Sequence, residues 1–143
     1  MQNLVRLGSS FARFAGAVKA PLMTSRTTQV RNFSAYVFDI DSVETFTEKV
    51  IQSPVPVIVD FHAEWCGPCH ALGPRLEEKV NGRNGRVYLA KVNVDHAGEL
   101  AIDYGISAVP TVFAFINGEK TGGFTGVLDD EQLDVFIDEI LAQ

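Results

Sequence analysis

The chain has 143 residues, of which 46% are hydrophobic and 21% charged, the balance of a single globular domain with a real core. Its longest apolar runs fall far short of the length a helix needs to cross a bilayer, which argues against a membrane protein. The net charge of −6 averages two unlike regions: residues 1–33 hold five basic residues and no acid, leaving seven basic residues against eighteen acids, a net of −11, in residues 34–143. A domain that acidic argues against nucleic acid as a partner.

Residues 1–33 are rich in Arg, Ser and Thr and can form a basic amphipathic helix over Leu4 to Val18. That is the composition of an organelle transit peptide. A secretory signal would place its charge first and follow it with an uninterrupted apolar stretch, which Arg13 spoils. Arg31-Asn32-Phe33-Ser34 resembles a mitochondrial processing site, with Arg two residues before the aromatic and a small residue after the cut. The expectation is import into the mitochondrion and cleavage between Phe33 and Ser34, with residues 34–143 as the mature domain. A disordered basic arm that binds membranes or acidic partners is the alternative.

In the mature domain, Tyr36-Val37-Phe38 reads as a first strand. Asp41 is placed to cap a helix, with Glu44 as its capping-box partner and Val43, Phe46 and Val50 as its apolar face. Pro54 and Pro56 then break the chain. Val57 to His62 is an apolar, β-branched run, the mark of a strand buried on both faces. Directly after it stand Cys66 and Cys69, the chain's two cysteines, around Gly67-Pro68. A Cys-x-x-Cys after a buried strand suits thiol–disulfide exchange. A helix beginning here would put Cys66 at its N-terminus, where free amides and the macrodipole favour a thiolate. Cys69 lies one turn on, less exposed, and within reach to close a disulfide.

Leu72, Leu76 and Val80 continue that helix at four-residue spacing, with Pro74 in its interior as an expected kink. Residues 81–86 are a loop, Val87 to Val94 a further strand, and Asp95 a candidate cap for a short helix ending before Gly105. Thr111–Ile116 and Lys120–Phe124 flank Asn117-Gly118, a strong hairpin signal. A last helix begins near Asp129, with Gln132 at the capping-box position and Leu128 and Leu133 as a staple. Its apolar face is Leu133, Phe136, Ile137, Ile140 and Leu141. The string β-α-β-α-β-α-β-β-α predicts an α/β domain: a mixed five-stranded sheet flanked by four helices, with the first three strands parallel and the last pair antiparallel.

Trp65-Cys66-Gly67-Pro68-Cys69 is identical to the thioredoxin active-site motif. Val59-Asp60-Phe61, Lys91 to Asp95, Val109-Pro110-Thr111, Phe115-x-Asn117-Gly118 and Gly126 follow in the thioredoxin order and spacing. Over residues 36–142 the chain resembles a thioredoxin, and with its leader and Leu72-Gly73-Pro74-Arg75-Leu76 it is similar to the mitochondrial members. The resemblance implies the thioredoxin fold and a protein-disulfide reductase, an electron carrier of redox homeostasis. In such a cycle Cys66 attacks a substrate disulfide and Cys69 resolves the mixed disulfide. Pro68, with fixed φ and no amide hydrogen, suits the first helical turn and stiffens the ring, and with Gly67 it tunes the redox pair.

Asp60 is a charged residue in the most apolar strand. It is read either as an acid at a wet strand end, as half of a structural pair with Lys91, or as a buried carboxyl of raised pKa that takes the proton of Cys69. The resemblance favours the last, with Lys91 modulating its charge. It also implies a cis peptide before Pro110 that leaves the Val109 backbone free to pair with an extended substrate. Ala108, Val109, Pro110 and Gly126, with Val127, would join Trp65, Gly67 and Pro68 in a shallow apolar docking patch. The implied partners are thioredoxin reductase, peroxiredoxins and other disulfide-containing proteins. NADPH is used through the reductase, no cofactor is bound to this chain, and a matrix-located monomer is expected.

Two positions depart from the common pattern. His62 replaces an aromatic, and His70 replaces a Lys or Arg, a histidine there being only partly charged near neutral pH. Three rival readings carry less weight. A metal site lacks the fourth ligand that structural zinc wants, so none is expected. An oxidase or isomerase usually carries His between its cysteines. A pure binding module would survive loss of both thiols.

Overall fold

The computed structural model describes residues 35–143. The leader, its helix over Leu4 to Val18 and the cleavage point between Phe33 and Ser34 lie outside the described residues. Five strands, β1 (Val37–Ile40), β2 (Val57–His62), β3 (Tyr88–Asn93), β4 (Thr111–Ile116) and β5 (Glu119–Thr125), form one sheet in the order β1-β3-β2-β4-β5. The helices are α1 (Val43–Phe46), which continues as a π-helical turn over Thr47–Ile51, then α2 (Gly67–Asn81), α3 (Gly98–Asp103) and α4 (Asp130–Leu141). β1, β3 and β2 run parallel, whereas β4 runs antiparallel to both β2 and β5. The predicted mixed five-stranded sheet with four helices is the one observed.

β2 is central because every one of its first five residues is buried. Alternation along the strand divides them between two cores. Ile58 packs with Leu72 and Leu76 of α2 and with Leu133 and Ile137 of α4, while Val57, Val59 and Phe61 pack with Phe46, Val50 and Leu100 on the opposite face. Asp60 shares the Ile58 parity and therefore faces the α2 side. The hairpin turns at Asn117 and Gly118, both at positive φ (52° and 80°), as a type I′ turn requires. A Cβ on Gly118 would also lie 2.7 Å from the Ile51 carbonyl oxygen, so packing against the π-helical turn demands glycine there as well.

Three local expectations are corrected. Ser42, not Asp41, caps α1: its hydroxyl accepts the Thr45 N–H at 3.1 Å, and Asp41 accepts the Thr45 hydroxyl instead. The first helix departs from α geometry after one turn and widens over Thr47–Ile51. Asp95 does not cap α3, whose preceding residue is Ala97 with no side-chain cap bond. At the far end the expected capping box forms in full, with Gln132 N–H donating to Asp129 at 2.8 Å and Asp129 N–H to Gln132 at 3.1 Å.

Candidate active site

Topology brings two distant segments together at the carboxyl end of β2. The chain leaves β2 and enters α2 directly, while the antiparallel register pairs Phe61 with Thr111, so the residues before β4 run up to the same edge. Cys66 is the N-cap of α2 and Cys69 lies in its first turn. The two form a disulfide, with Cα atoms 5.3 Å apart. The Cys69 N–H also donates to Cys66 Sγ at 3.3 Å, one of the free amides of the helix start turned toward sulfur. Pro68 occupies the first turn, where its missing N–H costs nothing.

The expected contrast in exposure is absent. Cys66 is 4% exposed and Cys69 6%, because both sulfurs pack with Ala63 against Val94 and Val109. What distinguishes the two cysteines is position along the helix: Cys66 alone sits at the cap, where the dipole and amides converge.

Behind Cys69, Asp60 is 1% exposed, and its Oδ1 has no hydrogen-bond partner. Burial raises its pKa from 3.8 to about 6, with Lys91 pulling down and Glu77 pushing up. Neither bland reading of this residue fits. The carboxyl is shut off from bulk solvent rather than set at a wet strand end, and the Lys91 ammonium donates to Glu77 at 2.7 Å rather than to Asp60. Lys91 thus acts on Asp60 through its field, as the neighbour in register on β3. Asp60, Cys69, Glu77 and Lys91 share the wall of one cavity of about 210 Å³, which His62 and His70 also line. Glu77 escaped the sequence reading, although Cys69, Gly73 and Glu77 follow one another at four-residue spacing along the helix face beside the Leu72-Leu76-Val80 stripe.

On the outer side, Trp65 is 71% exposed, and its indole N–H donates to Asp95 Oδ2 at 2.9 Å. That bond is the role of Asp95, missed because its position also suited a cap. Trp65, Ala108 and Val109 line a shallow hollow with Val94, Ile106 and Ser107. The Val109-Pro110 peptide is cis, and Pro110 is buried. The Gly126 N–H donates to the Pro110 carbonyl at 2.9 Å, and φ at Gly126 is 92°. Among the described residues Val109 takes no backbone hydrogen bond, so its N–H and C=O stay open to an added strand. Gly67 and Pro68 are exposed beside the disulfide. His70 is anchored: its Nε2 lies 2.8 Å from the Glu64 carbonyl, which can only accept, so the ring donates.

Among the described residues no group of three or more His, Cys, Asp or Glu is gathered as a metal site, and no helix is long and apolar enough to cross a membrane. The thioredoxin family model matches residues 37–139. A probable thioredoxin-2 of Caenorhabditis elegans is 76% identical over 144 residues, covering 99% of both chains. A mitochondrial thioredoxin of Rattus norvegicus is 41% identical over 127 residues, 89% of this chain and 76% of the relative. Among solved structures, the Malassezia sympodialis thioredoxin Mala s 13 superposes with a TM-score of 0.65 at 34% identity, over 72% of this chain and 89% of its own. A disulfide seated at the start of α2 and a match that runs from β1 into α4 lead to one conclusion: the chain belongs to the thioredoxin family, as a thiol–disulfide oxidoreductase whose redox-active pair is Cys66 and Cys69.

Proposed function

We propose that the protein is a protein-disulfide reductant of the mitochondrial matrix, re-reduced by thioredoxin reductase with electrons from NADPH. The observation that carries this reading is a disulfide at a helix N-terminus with an unpartnered, buried carboxyl lining the cavity behind its second cysteine. In the dithiol form the Cys66 thiolate attacks one sulfur of a substrate disulfide. The substrate S–S bond breaks, a Cys66–substrate disulfide forms, and the other substrate sulfur leaves as a thiolate. Cys69 then gives its proton to Asp60, attacks Cys66 Sγ and releases the second substrate thiolate. Two electrons have moved to the substrate, and the Cys66–Cys69 disulfide is left for the reductase to reduce.

Around this step Trp65, Ala108, Val109, Pro110 and Gly126 hold an extended substrate segment over the sulfurs. Gly67 and Pro68 set the stiffness of the ring, and Lys91, held by Glu77, limits how far burial raises the Asp60 pKa. Peroxiredoxins fit as clients, the nicotinamide cofactor stays on the reductase, and the protein works as a monomer. The matrix assignment is supported by the acid-free, Arg-rich residues 1–33 and by mitochondrial thioredoxins of Rattus norvegicus, Mus musculus and Bos taurus at 41%, 41% and 42% identity. Sequencing the N-terminus of the native protein should find Ser34 first; a native chain beginning at Met1 contradicts import with cleavage.

Asp60→Asn is expected to slow resolution of the mixed disulfide near neutral pH by about a hundredfold, the lower end of general-base catalysis. Only the carboxylate accepts a proton, so the wild-type rate should rise as pH increases through the Asp60 pKa of about 6, and the variant should lack that rise. Stopped-flow measurement against pH checks this, and equal rates with an unchanged profile would remove the role given to Asp60.

A further inference from the structure

A proton delivered to Asp60 has to leave again before the next turnover, and the carboxyl has no direct way out. Asp60 is sealed from solvent, and its Oδ1 meets no donor or acceptor of the protein. The cavity it lines is large and polar enough to hold water. His62 lines the same cavity. It stands two residues beyond Asp60 on β2, on the same face of the sheet, and as the last residue of the strand it is half-buried where Asp60 is fully buried. It thus bridges the interior carboxyl and the surface.

We infer that His62 is a proton-transfer residue of this oxidoreductase, passing the Asp60 proton through cavity water to bulk solvent. The inference rests on the role proposed above for Asp60. The step is balanced: Cys69 S–H loses its proton to Asp60, Asp60 returns it to water in the cavity, and one ring nitrogen of His62 takes it up as bulk solvent removes one from the other. Reduction of the disulfide runs the same path inward. The groups around the imidazole suit a shuttle that stays uncharged between transfers. Lys91 of β3 and His70 of α2 press it toward the neutral form, with burial the largest influence, while Asp39 of β1 and Glu64 before α2 oppose them. Neutral imidazole offers one donor and one acceptor nitrogen, whereas a Trp or Phe side chain at this position offers neither acceptor nor titration.

The test follows single-turnover resolution of a mixed disulfide on the full mature domain, comparing wild type with His62→Phe, His62→Gln and Asp60→Asn at low and high concentrations of imidazole buffer. Both His62 variants should be slower by about tenfold in dilute buffer and regain the wild-type rate as imidazole rises, since the small base replaces the missing shuttle. Their reduction potentials should match wild type, which a merely structural change would not leave in place. Should Phe fail to fold, Gln keeps the polarity and size of the site and gives the same reading. His62 variants as fast as wild type in dilute buffer, or slow ones that imidazole does not rescue, overturn the shuttle. If Asp60→Asn remains slow in that case, the Asp60 role stands and only the His62 inference falls; if Asp60→Asn is also fast, both fall.

Discussion

Asp60 carries the clearest energetic signature in the molecule. Its pKa is raised by burial from 3.8 to about 6, so the folded state holds this proton more tightly than the unfolded chain does. The sign follows directly: the stabilising contribution is present in full below 3.8 and is lost as pH rises through about 6. At higher pH the folded protein carries a buried, unpartnered carboxylate at a cost of about 3 kcal/mol. Asp60→Asn should therefore raise the unfolding free energy of the oxidised protein by up to about 3 kcal/mol at about pH 8, and change it little at about pH 4. Denaturant unfolding at both values checks this, and a wild type as stable as the variant at the higher pH contradicts a burial-driven shift. The anomaly of an acid in an apolar strand was visible in the sequence. Its unpartnered state was not, because Lys91 lies beside it in register and only side-chain geometry shows the ammonium turned to Glu77. Asp95 was misread for a similar reason: an acid before a helix looks like a cap, and its bond to the Trp65 indole spans thirty residues.

Among the elements, the helix caps read from the sequence fared differently. At α4 one Asp stood three residues before one Gln, and the capping box forms as expected. Asp129→Ala removes the acceptor of the Gln132 N–H and should cost about 1 kcal/mol. Thermal or denaturant unfolding at neutral pH would show it, and an unchanged midpoint would mean that the box contributes nothing. At α1 the cap is Ser42, one residue beyond the expected Asp41, whose carboxylate takes the Thr45 hydroxyl instead. The π-helical turn left no trace in the apolar spacing, since Phe46 and Val50 are buried either way. The hairpin turn was legible from Asn117-Gly118, but the irregularity between Ala114 and Phe115, which leaves Thr121 unpaired, was not.

A ladder joins α2 and its following turn to α4: Arg75 to Asp130, Lys79 to Asp134, and Arg83 to both Asp134 and Asp138. Hydrogen bonds from Lys79 and Arg83 hold the Asp134 carboxyl below its ordinary 3.8, so its contribution exists above that value and fades as pH falls. Asp134→Asn should lower the melting temperature at neutral pH and low salt, with the difference shrinking in high salt, as exposed pairs do. A salt-independent difference would point to packing instead.

For the whole molecule, the element string and the parallel crossovers were enough to give the sheet, and the sheet gives the site. An interior strand delivers the cysteines to a helix start, and an antiparallel neighbour returns the Val109-Pro110 segment to the same edge. The same face of that strand carries Asp60 toward the cavity. What the string could not give was the equal burial of the two cysteines, which depends on how Ala63, Val94 and Val109 close over the disulfide. The net negative charge of residues 34–143 and the shallow patch around Trp65 suit brief encounters with many protein disulfides rather than one tight complex.

The central claim is that the Cys66–Cys69 dithiol is built to donate electrons, and the reduction potential of the pair tests that most directly. Thioredoxins are themselves the reference for strongly reducing pairs at about −270 mV, with disulfide isomerases at about −180 mV, a separation of about 4 kcal/mol for two electrons. Equilibration of residues 34–143 against a defined thiol–disulfide buffer should place Cys66–Cys69 near the lower figure. A value near the upper one would mean that the histidines flanking the site have moved the pair toward oxidation or isomerisation, and the reductant assignment would be wrong.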